Sequence, residues 1–103
     1  MTDITKARKY LKSRNSDLQH LTSFGLMYNT AKTRYTDIKM KINTRRESYS
    51  GEHGAKEVQL LLDFAVLTYM RKHGTLPPNV SNIFTGTMSV DELREAALGW
   101  LYS

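Results

Sequence analysis

Eleven Lys and Arg residues in the first 46 positions are the side chains of this chain best placed to do chemistry: Lys6, Arg8, Lys9, Lys12, Arg14, Lys32, Arg34, Lys39, Lys41, Arg45 and Arg46. Only Asp3, Asp17 and Asp37 oppose them, a net of +8, whereas residues 47–103 carry four basic against seven acidic side chains, a net of −3. Such a set makes no bonds; it releases counterions. Cations that neutralise phosphates give salt-sensitive nucleic-acid binding with little sequence information. Tyr10, Tyr28, Tyr35 and Tyr49 are interleaved with the charges and would stack on bases wherever their rings are exposed. The same positive surface also suits an acidic protein, because charge selects partners by sign.

A second constellation lies between Ser48 and Lys56. Gly51 and Gly54 stand ahead of an expected helix beginning near Ala55, where several backbone N–H groups can converge on an anion. Lys56, Arg45 and Arg46 would add charge and make this a candidate seat for a small anionic nucleotide. The spacing is not that of a Walker A loop, and Glu52 would repel a phosphate.

The remaining polar groups define no reaction. His53 and Glu57 are four apart and meet on one helical turn, but two ligands without a third do not make a metal site. Ser50 with His53 lacks an orienting carboxylate and an oxyanion hole. The chain has no cysteine, which excludes disulfides, thiolate nucleophiles and cysteine-based zinc sites. The expectation is therefore a non-catalytic protein without metal or cofactor.

These side chains must be positioned by a single domain over residues 1–103, since 103 residues suffice for one modest core. Ile4, Ala7 and Leu11 give a short basic helix over about Thr5 to Lys12, broken at Ser13 to Ser16, where Ser16 or Asn15 can cap the next helix. From Asp17 to Arg46 a seven-residue repeat runs through Leu21, Tyr28, Tyr35 and Ile42, with Phe24, Ala31 and Ile38 three positions after the first three. That is an apolar seam for one long helix, flanked by Lys32, Lys39 and Arg46 on one side and Arg34 and Lys41 on the other. It assigns Tyr28 and Tyr35 to the core and leaves Leu26, Met27 and Met40 off the seam. The alternative is a β-hairpin over about residues 22–43, because Phe24, Leu26 and Tyr28 alternate, as do Thr36, Ile38, Met40 and Ile42.

Past Ser48 to Gly54, read as a reversing loop, Ala55 to His73 carries apolar residues around much of its circumference, as a helix buried on two sides does. Arg71, Lys72 and His73 complement its C-terminal dipole and Gly74 suits its end. Pro77 and Pro78 make a rigid exit, and Val80 to Phe84 has room for one turn. Ser89 with Glu92 forms a capping box for a last helix whose apolar face is Val90, Leu93, Ala96, Ala97, Trp100 and Leu101. Its outer surface carries Asp91, Glu92 and Glu95 against Arg94, which disqualifies it as a recognition helix for DNA.

The fold class read from these features is mainly α: a small helical bundle built on a long heptad-patterned helix and a buried helical hairpin. The alternative is α+β with the hairpin over 22–43. No stretch is apolar enough for a secretory signal or a membrane span, so a cytoplasmic protein is expected. The function that fits best is a binding protein whose basic half contacts nucleic-acid phosphates with little sequence specificity. A protein-interaction module, an inhibitor or adaptor that binds an acidic partner through the seam and its basic rim, is the competing reading. Homo-oligomers fit either one.

Overall fold

The computed structural model describes residues 4–45, 52–80 and 88–103. They form four α-helices, α1 (Ile4–Ser13), α2 (Phe24–Arg45), α3 (Glu52–His73) and α4 (Val90–Leu101), with a 3-10 turn at Asp17–His20. No strand occurs among the described residues, so the hairpin over 22–43 gives way to helix. Val80 to Phe84 lies, apart from Val80, outside the described residues, as does the loop from Ser48 to Gly51.

The expected long helix from Asp17 is interrupted, and its own sequence interrupts it. Asn15 takes a left-handed conformation, φ 56°, directly after α1. There the Ser16 amide donates to Leu11 O at 2.9 Å and the Asn15 amide to Lys12 O at 3.1 Å, the two reverse bonds that close a helix C-terminus. Ser16 then caps the 3-10 turn by accepting from the Leu18 amide. Leu21 is extended, and Ser23 starts α2 by accepting from the Leu26 amide at 3.2 Å. Leu21 therefore packs from a connection rather than from the helical seam.

Helix α3 is the centre of the bundle, packed between α2 and α4. Its all-round apolar sequence suits that position, with Val58, Leu61, Leu62, Ala65, Val66, Leu67 and Met70 all buried. Two clusters share it. One joins Ala7, Tyr10 and Leu11 of α1 and Leu18 to Met27 and Ala31 of α2; the other joins Tyr35, Ile38 and Ile42 of α2 to Ala97 of α4. Phe64 and Trp100 pack against both clusters and tie them together.

Two ends behave as their residues dictate. Gly74 sits at φ +74° and donates its amide to Met70 O at 2.8 Å, closing α3. Ser89 and Glu92 exchange reciprocal side-chain-to-amide bonds, both 3.2 Å, at the start of α4. Val90, by contrast, is exposed, and Ala97 is the fully buried residue of that helix. Helix α3 also begins at Glu52 rather than near Ala55, which carries Gly54 into its first turn.

Candidate nucleic-acid interface

The bundle sorts its basic residues by type. Arg8 donates from Nε to Gln19 O at 3.0 Å and from Nη2 to Leu21 O at 3.1 Å, holding the 3-10 turn against α1. Arg14 donates from Nε to Asp63 Oδ1 at 2.9 Å and reaches both the carbonyl and the side-chain oxygen of Gln59, joining α1 to α3. Arg34 forms a two-pronged pair with Asp17, 2.7 Å and 2.9 Å, joining α2 to the turn. These three arginines, read from the sequence as phosphate contacts, are engaged within the fold because a guanidinium's planar fork satisfies several acceptors at once.

The lysines take the surface. Lys6, Lys9 and Lys12 recur every three residues along the outer side of α1, and all three are exposed. Lys32, Lys39 and Lys41 are exposed on α2, and Lys56 is exposed one turn into α3. The Lys39 ammonium lies 5.7 Å from the centre of the Tyr35 ring. Arg45 is the last residue of α2, whereas Arg46 and Gly51 lie outside the described residues.

Lys41 and Lys56 come together in a groove of about 370 Å³ between α2 and α3, lined also by Arg34, Asp37, Ile38 and Leu60. Gly54, expected beside Lys56 in an anion-binding loop, is instead a buried helical residue. The anion-loop geometry is thus replaced by side chains meeting across two helices. Sequence spacing misses this groove because residues 34, 37, 38 and 41 belong to one helix and residues 56 and 60 to another.

The tyrosines are mostly occupied. Tyr10 is buried, which pushes its phenol far above the ordinary range and removes it as a stacking surface. Tyr35 is buried and stacks on Phe64 at 5.7 Å. Half-buried Tyr28 packs against the same ring at 5.8 Å and carries the Arg71 guanidinium 4.7 Å from its centre. Tyr49 lies outside the described residues.

Glu57, considered with His53 as a metal or acid–base pair, is buried and accepts from Arg94 of α4 at 3.1 Å and 3.2 Å. It is a structural ion pair between α3 and α4. No group of three or more metal-ligating side chains occurs among the described residues, and none of their helices is long and apolar enough to cross a membrane. Compared with protein-family models, curated proteins and solved structures, the chain matches none of them.

On α2, helical spacing puts Leu26, Thr33 and Met40 on the outer face. Leu26 is 49% and Met40 62% exposed. Met27, also expected off the seam, is fully buried against α1 and α3.

Proposed function

We propose that this protein is a small, non-catalytic helical binding protein that contacts nucleic-acid phosphates through a lysine surface, with little preference for sequence. The observation that carries this reading is how the charges are engaged: the lysines of the basic set on α1, α2 and α3 are exposed, while Arg8, Arg14 and Arg34 give their guanidinium hydrogen bonds to acceptors within the chain. Lysine ammoniums are mobile point charges suited to phosphates, whereas reading a base edge calls for the bidentate geometry of arginine or an amide. Asp17 is paired with Arg34, which leaves Asp37 as the exposed acid on α2. Fluorescence anisotropy of labelled single-stranded and double-stranded oligonucleotides over a salt series tests the reading. Affinity should fall steeply and linearly on a log–log plot as salt rises. Absence of binding at low salt to either form would refute it.

The seam expected to meet a protein partner is buried in the bundle's own core, with Ala31, Tyr35, Ile38 and Ile42 all covered. The exposure of Leu26 and Met40 supports a second reading, in which the outer face of α2 docks on an acidic protein instead. A Leu26→Ser/Met40→Ser variant separates the two readings. It should lose a protein partner but keep its affinity for oligonucleotides.

A further inference from the structure

Resting on the nucleic-acid reading, we infer that the groove between α2 and α3 is the seat of one nucleoside phosphate unit, held by Lys41 and Lys56 with Ile38 and Leu60 as its apolar floor. The groove's volume, about 370 Å³, is at the small end of the range of ligand sites, roughly 300–1,000 Å³. Its chemistry is divided as a nucleotide's is. Lys41 from α2 and Lys56 from α3 supply two ammoniums to a phosphate, while Arg34, paired with Asp17, forms a wall of the groove. Ile38 and Leu60 supply aliphatic surface for a sugar or base edge.

The walls of the site are fixed, although its two lysines are exposed and mobile. Ile38 is buried in the α2–α3 interface, and Arg34 is held by two hydrogen bonds, so the walls do not need to form on binding. Asp37 is the one carboxylate among the described residues of the lining, and it sits one turn from both Arg34 and Lys41. Its charge opposes a phosphate, which makes it the diagnostic residue. Removing it should strengthen binding, an outcome that damage to the fold does not imitate.

A labelled oligothymidylate of about ten nucleotides, long enough to span a typical single-strand site, is titrated by anisotropy at low salt, with AMP as a competitor. Lys41→Gln/Lys56→Gln is expected to weaken binding about tenfold or more. Lys6→Gln/Lys9→Gln/Lys12→Gln should weaken it less, although it removes one more charge. Asp37→Asn should tighten it by about two- to fivefold, the loss of one nearby repulsion. If AMP displaces the strand, the unit bound is a free nucleotide; if only unlabelled strand does, it is a phosphate within a chain, and either result retains the groove as the site. If the α1 triple variant is the weaker binder, or Asp37→Asn does not tighten binding, the groove is not the seat and the lysine surface acts as a whole. If wild-type protein binds neither strand nor AMP, the nucleic-acid reading fails together with the groove.

Discussion

Arg14 and Asp63, 49 residues apart in sequence, meet at 2.9 Å with only 11% and 10% of their side chains exposed. The contact fixes the end of α1 to the middle of α3, and it is where the charge pattern of the sequence turns into architecture. Taking away one partner strands the other in a poorly solvated site. Arg14→Ala is therefore expected to lower the unfolding free energy by about 3–5 kcal/mol, while Arg14→Met/Asp63→Leu should recover most of that loss. Urea denaturation of the three proteins checks this. A loss in Arg14→Ala no larger than that of an exposed substitution would mean that the pair does not hold α1 to α3.

The pH dependence of stability should carry the sign of Asp63. Burial pushes its carboxyl above the ordinary value of 3.8, although the charge and hydrogen bond of Arg14 pull the other way. A folded value above the unfolded one means that the native state takes up the proton first. This contribution is complete below the unfolded value and is lost as pH rises through the folded one. Asp17 has the opposite sign: the hydrogen bond from Arg34 lowers its carboxyl, so its contribution is present above 3.8 and is lost as pH falls through the lowered value. With its side chain 69% exposed, its share is small. The Tm of wild type relative to Asp63→Asn should rise as pH is taken from about 7 to about 4, approaching the unfolded value of an Asp. A difference that shrinks on acidification would mean that Arg14 outweighs burial.

Leu26 and Met27 are neighbours with opposite fates. Met27 is wholly buried between α1 and α3, whereas Leu26 is half exposed. Met27→Ala should cost about 2–5 kcal/mol through lost burial and the cavity left behind. Leu26→Ala should stay within about 0.5 kcal/mol of wild type, as surface substitutions do. Equal costs, measured by thermal or chemical unfolding, would contradict this placement of the helix.

The helices themselves were legible in residue pattern and end signals. Ser89 and Glu92 cap α4 as their spacing dictates, and Gly74 closes α3. What the pattern hid was the break before α2. Ser13 to Ser16 reads as a break in the sequence, but the extended backbone at Leu21 and the Ser23 hydroxyl that caps α2 show only in the folded chain. The long repeat beginning at Leu21 concealed that break by continuing the seven-residue spacing across a non-helical connection. Met27 is placed differently for a related reason: it joins the buried cluster formed with residues of α1, the 3-10 turn and α3, which widens the buried face of α2 beyond the seam. The basic set was visible as a set, but its division was not. Which cations point outward depends on Gln19, Leu21, Gln59 and Asp63, all distant in sequence from the arginines they receive.

That division gives the last prediction, a reciprocal pair of substitutions. Arg8 feeds two carbonyls, Gln19 O and Leu21 O, from two different nitrogens. Lysine keeps the charge but cannot reproduce this fork, so Arg8→Lys should cost about 1 kcal/mol of stability, one net hydrogen bond. Its oligonucleotide affinity and salt slope should match wild type, because the substitution keeps the charge at an exposed position. Lys41→Gln should do the reverse. Lys41 is exposed and lines the α2–α3 groove, so its loss should leave stability within about 0.5 kcal/mol and reduce the log–log salt slope by about one phosphate contact. Thermal unfolding and anisotropy on the same two variants measure both quantities. If Arg8→Lys costs no more stability than Lys41→Gln does, or Lys41→Gln leaves the salt slope unchanged, the separation of structural arginines from phosphate-facing lysines is wrong.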